Sequence, residues 1–534
     1  MQLIKGKTKR LPDEIVGGTI SLTVSAVIVK LLGLIYKIPL ASLLGDEGMG
    51  YFNSAYTVYG FFYLLCTAGV PKAVMILLSE AKARGRASDE SKIIRVAIGA
   101  FFILGVIMTL IFIVFSAPIA ALIGSKRSAF SMVAIAPAIV FTAVSGVIRG
   151  CLGADMKLIN ISVSQVIEGV GKLVFGLAFA LLSAGLNMPL EILSALTILG
   201  VSLGSSFGFI YLLVCSKIKI LRENKGQSIA KPDREKIIKR IFSISVPITI
   251  SAAIMSITNL IDLGLIMRSL GAIGYSESDA SAMYGNYTTL AVPLFNLAVS
   301  IITPIAVAFL PMLTSCFVRG DAAEYESSEK SSFELVSVIA APMMIGMMLF
   351  SKEILDLIFP SSGTLLGASL LCLLSPAILF SSLLIVVNTS LEAMGRVRLP
   401  LASMLVGSIG KIAVSIFLIT DTELGILGAP IGTVISYALA LFTSLIFYGK
   451  IANRHVPFLS SVAPPYIIGL AAVIIARSVY DGMIDYISDK LLLLICIGVA
   501  GIIYCVFIII FGFLSPIKML EMAKYTKTKE KNYR

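Results

Sequence analysis

Residues 490–514, "KLLLLICIGVAGIIYCVFIIIFGFL", carry one charge in twenty-five positions. A helix needs about 20 apolar residues to cross a bilayer core. Approximately fourteen apolar segments of spanning length follow one another along the chain. They lie near 15–36, 51–78, 93–115, 128–150, 158–183, 191–215, 240–268, 283–313, 333–350, 364–388, 399–420, 424–448, 459–479 and 490–514. None shows period-two alternation, so helices and not a barrel must satisfy the backbone in lipid. Only 14% of the 534 residues are charged, against about 25% in soluble domains. The expectation is an all-α polytopic membrane protein. The polar start, "MQLIKGKTKRLPDE", lacks the short apolar core and small-residue site of a cleavable signal.

Lysine and arginine collect on alternate connections. "KGKTKR", "EAKARGRASDESKIIR", "SKIKILRENKGQSIAKPDREKIIKR", "GRVRLP" and the tail "KYTKTKEKNYR" are basic, whereas "LGDEGMG", "SAGLNMPLE", "TDTELG" and "VYDGMIDYISDK" are not. The positive-inside rule then places both termini in the cytoplasm. The net charge of +12 is mainly a topology signal, with anionic lipid headgroups as secondary partners and no nucleic acid. "SKR" at 125–127 falls on the outer side and breaks the pattern. The seven cysteines stand singly, and His455 is the one histidine. No metal site, disulfide framework or cofactor is expected.

The chain reads as a duplication. "ARG" at 83–85 recurs as "VRG" at 318–320, and Gly50 and Phe52 meet Gly285 and Tyr287, all displaced by about 235. Leu152, Ala154, Lys157 and Gly171-Lys172 fall on Leu391, Ala393, Arg396 and Gly410-Lys411, displaced by 239. "ILGVSLGS" at 198–205 matches "ILGAPIGT" at 426–433. Two six-helix lobes follow, 1–225 and 226–455, with residues 456–534 adding helices 13 and 14 and a basic tail. An even helix count gives both lobes one orientation and a pseudo-two-fold axis along the membrane normal.

With "GMGYFNSAYTVYGFFYLLCTAGVPKAVMILLSEAKARG" at 48–85, "TNLIDLGLI" at 258–266 and "SIITPIAVAFLPMLTSCFVRG" at 300–320, the chain resembles the multidrug/oligosaccharidyl-lipid/polysaccharide (MOP) exporter superfamily. The two extra helices point to the branch of the MurJ-like lipid II flippases and the stage V sporulation protein B group. That resemblance implies a cationic central cavity for the pyrophosphate of a lipid-linked sugar, and a groove along helices 13 and 14 for the lipid tail. MurJ-type proteins carry arginines in the first two helices, where this chain has Lys30, Lys37 and Lys72. Lysine is a point charge without arginine's bidentate fork, so the MurJ geometry does not carry over residue by residue.

Charges inside the spans are the candidate site. Lys172 and Lys411, each preceded by glycine and deep in the fifth helix of its lobe, read as cavity cations, with snorkelling as the alternative. Glu168, one turn before Lys172, either neutralises it along the helix or titrates in ion coupling. Lys30 and Lys72 read as cavity lining or as packing and snorkelling residues. Arg268 is a further cavity cation or an outer anchor. Asp262 is an ion site, a counter-ion or a partner of Asn259. Asp155, Lys157, Glu392, Arg396 and Arg398 read as gate or interface charges, and the glycines of "GVGK" and "GSIGK" as close-packing positions.

Together with these charges, the resemblance implies a flippase, not an enzyme, in the cell membrane of a bacterium, that moves a polyprenyl-pyrophosphate-linked glycan of the cell envelope by alternating access. No GxxxxGK[ST] loop is present, so a coupling cation or the membrane potential would drive it. A cation-coupled exporter of drugs or metabolites on the same scaffold is the alternative, and a membrane glycosyltransferase a third. The topology predicts that a cysteine replacing Gly226 is shielded from an impermeant thiol reagent in sealed cells and reacts after lysis. A cysteine at Asp46 should react from outside, and labelling of position 226 in sealed cells would reverse the orientation.

Overall fold

A computed structural model describes residues 13–83, 87–220, 231–360, 363–420, 424–452, 458–484, 486 and 488–512. "KGKTKR", much of the basic loop near 221–230, the 455/456 boundary with His455, and the basic tail lie outside the described residues. The described residues form two compact units that meet in sequence at the Thr289–Leu290 bond.

The first unit contains α1 (Asp13–Thr67), α2 (Val70–Ala83), α3 (Ala87–Val114), α4 (Ser116–Ile123), α5 (Ala129–Ile135), α6 (Ala138–Ala154), α7 (Leu158–Gly185), α8 (Leu190–Ile220), α9 (Lys231–Ala272) and α10 (Glu277–Asn286). The second contains α11 (Val292–Ala308), α12 (Leu310–Arg319), α13 (Ala322–Leu349), α14 (Ser351–Ile358), α15 (Thr364–Leu374), α16 (Ala377–Ala393), α17 (Arg398–Thr420), α18 (Gly428–Ala452), α19 (Ala463–Met483) and α20 (Asp489–Ile510). No strand occurs among the described residues. α9 and α10, which the repeat assigns to its second copy, pack in the first unit against α1, with α9 also touching α2 and α3.

Among the described residues eleven helices are long and apolar enough to cross a membrane, and twelve if the bent pair Lys126–Ile135 and Ala138–Ala154 is one span. The expected segments 15–36 and 51–78 are joined without a loop: α1 is two helices that meet at a kink at Gly45 (φ 63°), and the second segment runs on past Thr67 into α2. Glycine adopts that left-handed conformation without the Cβ clash. The segment expected at 240–268 lies inside α9. Large apolar side chains stay exposed on the outward faces, for example Val114, Leu182, Ile502 and Ile510, as a lipid solvent permits.

The duplication is legible in the helix boundaries. α3 and α13 both have 28 residues and start at 87 and 322, and α4 and α14 both have 8 and start at 116 and 351. Both pairs are displaced by 235. α6 and α16 have 17 each, start at 138 and 377, and follow Pro137 and Pro376, a displacement of 239. Their ends match as well. Lys157 N–H donates to Leu152 O, and Arg396 N–H to Leu391 O, both at 2.9 Å. The residue before each, Met156 (φ 58°) or Gly395 (φ 75°), takes the left-handed cap conformation.

Close backbone approaches fix the packing. In the first unit a Cβ on Gly50 would lie 2.0 Å from Ser281 O, and one on Gly285 would lie 2.1 Å from Asp46 O. Positions 46 and 281, like 50 and 285, are repeat mates, so the contact is reciprocal, as a two-fold contact must be. The glycines expected to pack closely do so. A Cβ on Gly171 would meet Gly204 Cα at 2.8 Å between α7 and α8, and one on Gly407 would meet Ser436 O at 2.5 Å between α17 and α18.

The "SKR" exception also resolves. Arg127 lies 3.4 Å from Glu47 and 3.5 Å from Glu191, and its backbone N–H donates to Glu277 at 2.8 Å. Its guanidinium is the counter-ion of acids on α1 and α8, which accounts for a cation at this position.

Candidate functional site

Within the first unit, α1, α6, α7 and α8 enclose a cavity of about 540 Å³. Three cations and one carboxylate line it: Lys30, Arg149, Lys172 and Glu168. Four tyrosines share the wall: Tyr36, Tyr56, Tyr59 and Tyr63. The glycine seam sets the depth of the α7 charges. A Cβ on Gly204 would lie 2.6 Å from both Glu168 O and Lys172 N, so only glycine lets α8 support that turn so closely.

Glu168 is not held by Lys172. Arg149 Nη2 donates to Glu168 Oε2 at 2.9 Å, and Ser205 Oγ donates to Glu168 Oε1 at 3.2 Å. Arg149 Nε also donates to Ser164 Oγ at 3.3 Å. The pair is largely enclosed, with side-chain exposures of 12% for Arg149 and 26% for Glu168. The expected neutralisation of Lys172 by its i−4 neighbour is therefore replaced by a bridge from α6. Arg149 divides its fork, one nitrogen on the carboxylate and another on Ser164, which lysine's single ammonium nitrogen could not do.

Lys172 rests on aromatic faces instead. Its Nζ stands 4.4 Å from the Tyr56 ring centroid and 5.4 Å from that of Tyr36. Tyr56 is exposed, and a cation over an exposed ring gains only about 0.5–1 kcal/mol, which goes to offset the desolvation of the ammonium and leaves little net stability. No carboxylate among the described residues forms an ion pair with it. Lys37, one residue past Tyr36, is outside the lining, and its Nζ donates to Thr288 O at 2.8 Å.

The other sequence candidates are dispersed. Lys72 is exposed at the start of α2 and absent from the lining; Pro71 before it packs on Gly146 and Gly150 of α6. Arg268 is exposed on α9 next to Gly124, also outside the cavity. Asp262 is half-buried on α9. Lys411 is half-buried on α17 of the second unit, in electrostatic reach of Tyr437, whose ring meets Phe295 at 5.6 Å. Asp155 pairs with Lys82, joining α6 to α2.

Sequence reasoning missed Arg149 and the tyrosines. Arg149 stands in the apolar run "AVSGVIRGCLG" and looked like the end of a span, although α6 continues to Ala154. The signal was available: an acid in lipid needs a cation, and an arginine in the preceding apolar run could supply one. The tyrosines of "YTVYGFFY" at 56–63 recur at i, i+3 and i+7, one helix face.

Comparison with known proteins gives the context. Residues 15–317 match the family described as polysaccharide biosynthesis protein. The chain is 24% identical over 482 residues to stage V sporulation protein B of Bacillus subtilis (strain 168), covering 88% of this chain and 89% of that one. It is 22% identical over 463 residues to lipid II flippase MurJ of the same organism, covering 83% and 84%. A solved lipid II flippase MurJ in an inward closed conformation superposes with a TM-score of 0.71 at 16% identity, over 92% of this chain and 98% of that one. An inward-facing multidrug resistance MATE family transporter of the MOP superfamily gives 0.63 at 15%, over 82% and 98%.

Loss of one partner from a buried pair costs about 3–5 kcal/mol, and partial exposure brings the expected cost here to about 2 kcal/mol. Arg149→Gln should therefore lower the melting temperature and the membrane-resident amount, and adding Glu168→Gln should recover most of the loss. Lys172→Gln should leave both unchanged. Thermal melts of the detergent-solubilised variants read this directly; destabilisation by Lys172→Gln equal to that of Arg149→Gln would assign the carboxylate to both cations.

Proposed function

The chain belongs to the polysaccharide biosynthesis protein family, and on that footing we propose that it flips a lipid-linked oligosaccharide across the bacterial cell membrane. It is a multi-pass helical membrane protein of the MOP exporter superfamily. The proposed cargo is a polyprenyl-pyrophosphate-linked precursor of the cell wall or of a polysaccharide, carried by alternating access from the cytoplasmic to the outer leaflet, with both termini cytoplasmic.

One observation carries the reading. The cavity holds a surplus of positive charge, and Lys172 has tyrosine faces for partners where an anion would otherwise sit. In the empty state the rings offset part of the desolvation of the ammonium. A pyrophosphate arriving there gains a charge-assisted contact stronger than the one it displaces. Arg149 is committed to Glu168, and Lys30 adds a second positive charge on α1. Lys411 occupies the matching place on α17, and we give it the same role within its own unit.

The surplus also weighs against the multidrug alternative for organic cations, which would enter against like charge. For the lipid tail, α19 and α20 pack with α13 around an apolar cavity of about 240 Å³ lined by Gly346, Gly469, Val473 and Gly501. Glu168 acts as the counter-ion of Arg149, which leaves Asp262 as the candidate for ion coupling. A membrane potential of 100 mV is worth about 2.3 kcal/mol per charge moved, enough to bias a two-state carrier.

The decisive variant is Lys172→Gln. A hydrogen bond to a charged group is worth about 1.5–3 kcal/mol, so its loss should cut transport by about tenfold or more. In cells depleted of the wild-type protein, the variant should reach the membrane in normal amount while an undecaprenyl-linked intermediate accumulates on the cytoplasmic side, as read by mass analysis. Wild-type levels of that intermediate would remove Lys172 from the substrate path.

A further inference from the structure

We propose that the wall from Tyr56 to Tyr63, with Gln165 opposite it, is a carbohydrate subsite that binds the first sugars of the cargo beside the phosphate position at Lys172. The inference rests on the flippase reading and adds to it a recognition site for the glycan.

The tyrosines form a connected ladder on one face of α1. Ring centroids are 6.0 Å apart from Tyr56 to Tyr59 and 5.8 Å from Tyr59 to Tyr63, with interplanar tilts of 46° and 43°. Tyr56 is 39% exposed where it lines the cavity, so its ring is accessible to a ligand. With no tryptophan in the chain, tyrosine is the residue that combines a large aromatic face with a hydrogen-bonding edge, and four of them line this single cavity. Lipid tails would be served by leucine or phenylalanine without the cost of placing hydroxyls in the wall. Sugar rings suit such a wall, since their C–H faces stack on aromatic faces while their hydroxyls seek polar partners at the edges.

Those partners stand on α7. Ser25 Oγ donates to Gln165 Oε1 at 3.5 Å, which leaves the two amide N–H groups of Gln165 available at the cavity wall. Glu168 and Arg149, bonded to each other, lie in electrostatic reach of Tyr63. The cavity is thus ordered along its length. Lys172 touches Tyr56 at one end, and Tyr63, Gln165, Glu168 and Arg149 gather at the other. A pyrophosphate on Lys172 would direct its attached sugar along the ladder towards Tyr63. A drug-sized cavity falls at roughly 300–1,000 Å³, and about 540 Å³ accommodates a headgroup of that class.

The test compares two probes on the purified full-length protein in lipid nanodiscs: a polyprenyl pyrophosphate, and the same lipid carrying a disaccharide. Tyr63→Leu removes the ring and should weaken the disaccharide lipid by about tenfold, with the sugarless lipid unchanged. Tyr63→Phe, which keeps the ring, should retain most of that affinity. Gln165→Leu should show the same selectivity as Tyr63→Leu and carries the test if Tyr63→Leu fails to accumulate. Equal effects on both lipids, or none on either, would overturn the subsite. Lys172→Gln separates the two readings, because it should weaken both lipids. If it weakens neither while Tyr63→Leu remains selective, the phosphate assignment falls and the sugar subsite stands.

Discussion

A charge inside a membrane must find a partner, and the way this protein satisfies that demand organises its first unit. Arg149 on α6 and Glu168 on α7 neutralise one another, with Ser164 accepting a further bond from Arg149 and Ser205 donating one to Glu168. That bridge ties the body of α6 to the body of α7. It also removes the one carboxylate that could have neutralised Lys172 from the adjacent turn. The lysine then settles on Tyr36 and Tyr56, the partnership that the proposed headgroup would replace.

The helix packing makes this arrangement available. α7 and α8 approach until Gly204 meets the backbone at Glu168 and Lys172, and no side chain larger than hydrogen fits that seam. With α8 close behind, the charged turn of α7 is presented to the cavity and to α6. A glycine seam between α17 and α18 holds Lys411 on the corresponding helix of the second unit. Duplication thus reproduces a way of supporting an intramembrane lysine, while the acid is present in one copy alone, since the repeat mate of Glu168 is Gly407.

Much of the fold was legible in the sequence because a bilayer allows few solutions. Apolar length and basic connections led to the all-helical, multi-pass class, and displacements of 235 and 239 read from short motifs recur in helix lengths and cap conformations. The break at Gly45 was less visible, since "LGDEGMG" reads as a polar loop and helical hydrogen bonding continues around it. The site was legible in part. Intramembrane charge singled out Lys30, Lys172 and Glu168, all of which line the cavity, but the same criterion included Lys72 and Arg268, which point elsewhere. Which cation meets Glu168 depends on the crossing of α6 and α7, and spacing along one helix carries no information about a neighbour. The tyrosine wall was missed because aromatic side chains at helical spacing are ordinarily core.

The central claim is that Lys172 is held by aromatic faces until an anionic headgroup displaces them. Its most direct test is chemical modification of the lysine with an amine-acylating reagent in membranes, quantified by peptide mass spectrometry with and without a polyprenyl pyrophosphate. Ready modification of Lys172 in the empty protein, and protection by the lipid that an uncharged polyprenol does not give, is the predicted result. Equal modification under all three conditions would contradict it.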